Sequence, residues 1–395
     1  MSDSENKLAF STKLFQRIKH LSFLMKLRLC FYFFDSVILA FLKKPKKQPD
    51  GKKRIGILAL TGMGDCIIFC RLADSLKKAF PADQYELTIL CNDSHIKLFS
   101  MFFDRVKGFP FYDMSFNPFA RMRILSKLRE DSFDELWDVN GCGECTPNIF
   151  ISNAVCAAEK KVAYPGLLDC GRRKNICPVW LKRKIYSEIV DLPEDIHLST
   201  VYQIFLQHVS GKVLWFEMLD FPLKKTVDIP DRYLVFVPSG SHRRNMWGAD
   251  NFITLGKHLY EKRNLPIILC GASSDYSECL KIEQNLKSSN IPVINMAGRT
   301  NFMELAWLLK NTEEMFTIDT GSFHLALSLG TKVVLIAPEA VYSLYIDYPE
   351  SMRENLSVHH ADMACKNCGH YCYDSGCGNY PCVDAVTIDD VLESF

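Results

Sequence analysis

Residues 315–338 read MFTIDTGSFHLALSLGTKVVLIAP, and their pattern predicts the fold class. Met315–Ile318 and Lys332–Ile336 are short, almost continuous apolar runs, as expected of strands buried on both faces of a parallel sheet. Residues 322–329 between them are predicted to be helical. A strand, a helix and a second strand make a βαβ unit, so the stretch predicts a parallel α/β domain.

The same alternation extends over most of the chain. A length of 395 residues exceeds what one hydrophobic core supports, so two α/β domains are expected. The predicted strands of the first domain are Ile55–Leu60, Leu87–Cys91, Val106–Phe111, Leu136–Val139 and Val162–Tyr164. The second domain adds Leu234–Val237, Pro266–Cys270 and Pro292–Met296 to the two strands above. Helices are predicted at 66–80, 198–209, 250–263, 275–288 and 302–311.

We therefore predict four segments along the chain. Residues 1–50 form an amphipathic, basic helical segment, and 51–228 form a Rossmann-like domain. Residues 229–350 form a second Rossmann-like domain. Residues 351–395 form a Cys-rich C-terminal tail with a closing helix.

Composition indicates a globular protein and argues against a nucleic-acid-binding protein and a secreted, disulfide-linked one. The balance of 48% hydrophobic and 24% charged residues is ordinary for a globular protein. A net charge of +1 gives no reason to expect a nucleic-acid partner. Disulfide frameworks belong to small secreted domains, and several of the sixteen cysteines lie inside apolar runs, so a reducing cytosol is indicated.

The N-terminal segment contains a long apolar run, LSFLMKLRLCFYFFDSVILAFL at 21–42. Lys26, Arg28 and Asp35 interrupt it, and a charge at the centre of a spanning helix costs about 2.5–3.5 kcal/mol, so spanning is disfavoured. No cleavage site of the signal-peptide kind follows. Two alternatives stay open: a helix in the membrane interface, aided by the basic residues of 43–47, or a helix packed on the first domain.

The first candidate site is Thr61-Gly62-Met63-Gly64-Asp65, between the first strand and its helix. The glycines Gly62 and Gly64 allow close approach of a ligand, and a helix N-terminus favours anions. Asp65 is either a helix N-cap or a carboxylate that takes a proton from an acceptor hydroxyl.

The second candidate is the turn that begins at Asp319. Its backbone N–H groups and hydroxyls form a cradle suited to a phosphate. The residues concerned are Asp319, Thr320, Gly321 and His324. The same DTG triplet occurs in aspartic proteases, but the α/β pattern excludes that class, since its partner triplet at 374–376 falls in a cysteine cluster.

Three further loops follow strands of the second domain and should converge with this turn. One contains Ser239, Ser241, Arg243 and Arg244, and guanidinium groups suit a pyrophosphate. The others contain Asp275 and Arg299. Carboxyl ends of parallel strands share one edge of a sheet, so one binding site is predicted there.

The C-terminal tail carries five closely spaced cysteines, Cys365, Cys368, Cys372, Cys377 and Cys382. Four thiolates can hold a structural zinc ion tetrahedrally, and His359, His360 and His370 are near in sequence. Only one CxxC pair is present, so packing cysteines or oxidative pairing remain alternatives.

Together these motifs resemble glycosyltransferase family 9, the ADP-heptose:lipopolysaccharide heptosyltransferases. The resemblance rests on GMGD, PSGS with a following tryptophan, the GAS turn, AGRT and DTGSFHLALSLG, and runs from about Arg54 to Pro338. It implies a GT-B fold, two facing Rossmann-like doubly wound domains with the active site in their cleft. The N-terminal domain would bind the acceptor and the C-terminal domain the nucleotide-sugar donor.

The resemblance also implies a chemistry: inverting, metal-independent transfer that requires no cofactor. Asp65 would be the general base, and the Asp319 turn with His324 would bind the diphosphate and sugar of ADP-heptose. Asp275 would fall near the ribose. The acceptor would be a lipopolysaccharide core or another lipid-linked glycan at the cytoplasmic face of the inner membrane.

One position departs from the family pattern. Members usually carry a basic residue two positions before the tryptophan of the PSGS loop, and here that position is Asn245. Two alternatives therefore remain: a GT-B transferase that uses another nucleotide sugar for a capsule or surface glycan, and a non-catalytic nucleotide-binding relative.

Overall fold

The computed structural model describes residues 23–41, 50–110, 114, 117–128, 131–141, 151–152, 160–165, 179–240, 245–363, 366–369 and 381–393. Contacts divide the chain into two compact units. The first unit draws its described residues from 1–61, 76–192 and 204–213, and the second from 62–75, 193–203 and 214–395. The domain bounds predicted from the order of the chain remain a prediction.

The first unit is built on a parallel sheet of six strands. They are β1 (Lys53–Ala59), β2 (Tyr85–Asn92), β3 (Val106–Phe109), β4 (Glu135–Asp138), β5 (Lys160–Ala163) and β6 (Glu188–Ile189). Their spatial order is β3-β2-β1-β4-β5-β6. This is the Rossmann order, which reverses between β1 and β4, and ligands of such sheets bind where the order reverses.

Seven helices are described before β7, and their residues within 62–75 and 193–203 belong to the second unit. They are α1 (Phe23–Phe41), α2 (Met63–Cys70), α3 (Ala73–Ala79), α4 (Ile96–Phe99), α5 (Pro118–Leu128), α6 (Val179–Ile185) and α7 (Leu198–Ser210). The prediction of a helix at 198–209 is confirmed by α7. The single helix predicted at 66–80 is wrong, because the chain breaks into α2 and α3 at Arg71. There the Arg71 carbonyl accepts from the Glu217 N–H at 2.9 Å, and Arg71 Nε donates to the Glu217 carbonyl at 3.0 Å.

The second unit is built on another parallel sheet of six strands. They are β7 (Leu234–Val237), β8 (Ile267–Leu269), β9 (Val293–Asn295), β10 (Glu314–Ile318), β11 (Val333–Ile336) and β12 (Leu356–His359). The order is β12-β11-β10-β7-β8-β9, so the reversal falls between β7 and β10. Its helices are α8 (Ala249–Arg263), α9 (Tyr276–Ser288), α10 (Phe302–Asn311), α11 (Gly321–Ser328), α12 (Pro381–Asp384) and α13 (Ile388–Leu392).

Apolar burial explains why the predicted strands form. All four residues of β7 are buried, and the rings of Phe236 and Phe316 meet edge to face at 5.4 Å across β7 and β10. The tail closes this core, since Trp247 Nε1 donates to the carbonyl of Val386 at 2.6 Å. Two strands were not predicted, because β6 has only two residues and β12 is an edge strand without a buried apolar run.

Helix α1 packs one of its faces into the core of the first unit, through Leu29, Tyr32 and Leu39. Asp35, which interrupts the apolar run in sequence, forms a buried ion pair with Arg121 of α5, whose Nε lies 2.7 Å from Asp35 Oδ2. The packing alternative is therefore confirmed for this face. Among the described helices, none combines the length and the apolar character needed to cross a bilayer.

Candidate active site

The loops that follow β7 and β10 meet at the point where the strand order of the second sheet reverses. Asn245, after β7, donates its amide hydrogens to the main-chain oxygen of Asp319 at 3.1 Å and to Asp319 Oδ2 at 3.2 Å. Gly240 permits this approach, because a Cβ at that position would lie 2.8 Å from Thr320 Cγ2. The two loops are thus locked together around the Asp319 carboxylate.

His324 lies on the first turn of α11, beneath this carboxylate. Burial lowers the pKa of His324 to about 3, so its imidazole is neutral at physiological pH. Its Nε2 is 3.8 Å from Asp319 Oδ1, which is too long for a hydrogen bond, and a neutral ring makes no ion pair. The ring therefore offers a neutral polar group to whatever enters the turn.

Two buried residues that the sequence did not single out support His324. The Tyr348 hydroxyl is 2.8 Å from His324 Nδ1, and burial raises the pKa of Tyr348, so it stays a phenol. The ring of His197 lies 3.9 Å from that of Tyr348, and Ser199 Oγ is 2.8 Å from His197 Nδ1. No local pattern marks Tyr348 or His197, because both reach the site through tertiary contacts.

Asp65 lies in the first turn of helix α2, which packs against α11 within the second unit. Gly64 makes the packing possible, since a Cβ there would lie 2.6 Å from Cδ2 of His324. Burial and, to a smaller extent, the charge of Asp319 raise the pKa of Asp65 to about 7, against main-chain hydrogen bonds at Gly62 and Asp65 that lower it. A carboxyl with such a pKa can take up and release a proton near neutral pH.

The other loops of the second sheet are linked to this site through Asp275. Asp275 accepts from Ser239 Oγ at 3.0 Å and from the Ala272 N–H at 2.8 Å, so both of its oxygens are used inside the protein. Gly298, in the turn after β9, has a positive φ of 71°, a conformation that glycine adopts readily. Its N–H donates to the Gly271 carbonyl at 2.9 Å and so joins this turn to the loop after β8.

The remaining predicted donor-site residues divide into two groups. The Arg299 side chain is exposed at the turn after β9. Ser241, Arg243 and Arg244 lie outside the described residues.

The predicted zinc site falls mostly outside the described residues. Cys368 and Cys382 are described and partly exposed, whereas Cys365, Cys372 and Cys377 are not described. Within the part of the chain that the structure describes, no cluster of three or more His, Cys, Asp or Glu side chains is arranged to hold a metal. Zinc binding by the tail therefore stays a prediction.

Two parallel six-stranded sheets, each with the Rossmann strand order, match the GT-B class of fold. Solved structures agree: the Escherichia coli heptosyltransferase WaaC with ADP superimposes with a TM-score of 0.62 at 15% identity, covering 86% of this chain and 98% of that one. A glycosyltransferase family 9 protein from Veillonella parvula gives a TM-score of 0.63 at 15% identity, covering 89% and 97%.

The family follows from the sequence. The model of glycosyltransferase family 9 (heptosyltransferase) matches residues 212–337. Lipopolysaccharide heptosyltransferase 3 of Escherichia coli K12 is 25% identical over 107 residues, which are 27% of this chain and only 30% of that relative. Residues 212–337 therefore match glycosyltransferase family 9, and the resemblance seen in the sequence is confirmed there.

Proposed function

We propose that this protein is an inverting glycosyltransferase that moves a sugar from a nucleotide-sugar donor to a hydroxyl of a glycan acceptor. One observation carries the proposal: Asp65, with a pKa of about 7, lies on the same packed helix pair as the Asp319 turn. A general base works best with a pKa near the operating pH, and ordinary aspartates are far below it. The N-cap alternative for Asp65 is wrong, because Gly62 is the N-cap of α2.

The proposed reaction is a single displacement. Asp65 removes the proton of the acceptor hydroxyl while that oxygen forms a bond to the anomeric carbon of the donor. The bond from this carbon to the diphosphate oxygen breaks, and the electron pair leaves with the nucleoside diphosphate. The N–H groups at the start of α11 would stabilise the charge that develops on the leaving group.

ADP-heptose is the proposed donor, and a lipopolysaccharide core or other lipid-linked glycan is the proposed acceptor. Support comes from the relatives, since one is named a lipopolysaccharide heptosyltransferase and a structural neighbour was solved with ADP. Asn245 favours a second candidate, a transferase for a different nucleotide sugar, because a neutral amide bonds to Asp319 where the family pattern has a cation.

Binding measurements separate these possibilities. We expect ADP to bind more tightly than UDP or GDP in calorimetry, and Asp319→Ala to abolish that preference. Asp65→Asn should bind the nucleotide as the wild type does but show no transfer, because it keeps the shape of the side chain and loses the base. Tight binding of UDP or GDP instead would discard heptose, and binding of none of the three would favour the non-catalytic alternative.

We further propose that the outer face of α1 attaches the protein to the cytoplasmic surface of the inner membrane. Phe33, Phe34 and Phe41 are 69%, 68% and 85% exposed, and Leu27 and Val37 extend the same apolar surface. Basic residues at 43, 44, 46 and 47 follow in the sequence. Aromatic residues beside a basic cluster suit an interface that contains anionic lipid.

Co-sedimentation with vesicles tests the membrane proposal. The wild type should bind vesicles that contain phosphatidylglycerol and bind pure phosphatidylcholine weakly. Phe33→Ser with Phe34→Ser should lose most of the binding, because these side chains supply the inserted apolar area. Val213→Ser is the matched control, since Val213 is 78% exposed but lies far along the chain from α1. Equal binding by both variants would contradict the proposal.

A further inference from the structure

Asn245 presents the two ends of its amide to different surroundings. The nitrogen donates to the main-chain oxygen and to the carboxylate of Asp319, at 3.1 and 3.2 Å. Both partners are acceptors, so only the NH2 group fits on that side, and the orientation of the amide is fixed. The oxygen, Oδ1, must therefore find its own partner elsewhere.

Within the described residues, Asn245 Oδ1 is buried and has no hydrogen-bond partner, in a side chain whose residue is only 7% exposed. A buried acceptor without a partner costs about 1–3 kcal/mol, and folded proteins keep few of them. Thr320, next to Asp319 in the chain, presents a second such atom. Its Oγ1 is buried without a partner and makes no capping bond, although Thr320 is the N-cap of α11.

The chemistry of Oδ1 limits what can satisfy it. An amide oxygen only accepts hydrogen bonds, and an ionised phosphate oxygen has no hydrogen to donate. A hydroxyl group does. A neutral acceptor at this position is therefore suited to a hydroxyl of a ligand and unsuited to its diphosphate.

The position of Asn245 indicates which hydroxyl. Asn245 holds Asp319, and α11, which begins two residues later, packs against α2 through the contact between Gly64 and His324. Asp65, the proposed base, lies beside Gly64, and a base must be within hydrogen-bond reach of the hydroxyl that it deprotonates, whose oxygen bonds to the anomeric carbon. That carbon belongs to the transferred sugar.

We propose that Asn245 Oδ1 accepts a hydrogen bond from a hydroxyl of the transferred sugar, which makes Asn245 a specificity-determining residue for the sugar half of the donor. The inference rests on the proposed function and deepens it. It predicts that Asn245 distinguishes a nucleotide sugar from the bare nucleoside diphosphate, whereas a diphosphate contact would affect both ligands equally.

Calorimetry with paired ligands tests the assignment. The pairs are ADP and ADP-heptose, UDP and UDP-glucose, and GDP and GDP-mannose, and the pair that the wild type binds is carried forward. Asn245→Ala should weaken binding of the sugar nucleotide about tenfold, which is the effect of one lost hydrogen bond. Binding of the nucleoside diphosphate should change less than about twofold. Asn251→Ala is the control, because the Asn251 amide donates to the nearby Trp247 carbonyl and makes no other hydrogen bond among the residues that the structure describes.

A ligand-side measurement keeps the test independent of the variant's folding. Analogues of the bound sugar nucleotide that each lack one sugar hydroxyl are compared with the parent. The analogue that lacks the hydroxyl bonded to Asn245 Oδ1 should bind the wild type about tenfold more weakly than the parent does. An equal loss for both ligands of the pair in Asn245→Ala, or analogues that all bind as the parent does, would overturn the assignment while leaving the proposed function intact. A wild type that binds no ligand of any pair would refute the proposed function, and this inference with it.

Discussion

Replacing Asp65 with asparagine should stabilise the protein at alkaline pH while removing its proposed activity. Burial and Asp319 raise the pKa of Asp65 to about 7 in the folded state. In the unfolded chain an aspartate has its ordinary pKa of 3.8. Ionisation of this side chain is therefore unfavourable in the folded protein, and asparagine avoids it at the same size.

The magnitude follows from the difference between the two pKa values. Three pKa units at about 1.36 kcal/mol each give an upper limit of about 4 kcal/mol. The Asp65 residue is only partly buried, so water solvates part of its charge, and about 2 kcal/mol is a better expectation.

The upward shift of the Asp65 pKa determines the pH range over which the stability of the wild type changes. Below about pH 4 both states carry the proton, and Asp65 costs nothing. Between pH 4 and 7 only the unfolded state releases it, so the wild type loses stability as the pH rises. Above pH 7 the loss is complete and constant.

Urea unfolding of the wild type and Asp65→Asn at pH 4, 5.5 and 8 measures this difference. The variant should match the wild type at pH 4 and exceed it most at pH 8. Asp74→Asn, on the exposed surface of α3, is the matched control and should follow the wild type throughout. A gap that is the same at all three pH values, or a variant less stable than the wild type at pH 8, would show that ionisation of Asp65 does not destabilise the folded protein.

Three other substitutions probe the supports of the site and of α1. Gly64→Ala would place a methyl group 2.6 Å from Cδ2 of His324; we expect a loss of about 1–3 kcal/mol in unfolding free energy and weaker nucleotide binding, measured by melting and calorimetry. Tyr348→Phe removes the hydroxyl bonded to His324 Nδ1, so kcat should fall with stability reduced by only about 1 kcal/mol, and unchanged kinetics would remove Tyr348 from the site. Arg121→Met leaves Asp35 buried without its partner and should cost about 3–5 kcal/mol in urea unfolding, most of which the double variant with Asp35→Leu should restore.

The sequence predicted those parts of the fold that local patterns encode. Strands such as β7 and β10 were recognised because each is a continuous apolar run, and Asp65 and Asp319 stood out because each directly follows such a run at a helix start. Position within a strand–turn–helix unit is a local property, so it can be read from a few adjacent residues.

Features that depend on distant contacts escaped prediction. The break between α2 and α3 arises because Arg71 bonds to a residue 146 positions away. Tyr348 is 24 positions from His324 in sequence, and nothing around it distinguishes it from other buried tyrosines. The ion pair of Asp35 was not predicted either. An acidic residue in an apolar helix suggests a cationic partner, but the sequence does not show which residue that is.

The burial of one face of α1 changes how the N-terminus can be manipulated and how it can evolve. A deletion of residues 1–50 would remove Leu29, Tyr32 and Leu39 from the core and take Asp35 away from Arg121, so α1 is part of the folded first unit. Its outer face, with Phe33, Phe34 and Phe41 exposed, is free of that constraint. The proposed membrane attachment could therefore be altered by point changes on the outer side of α1 while folding keeps the inner side in place, and natural variation should be concentrated on the outer side.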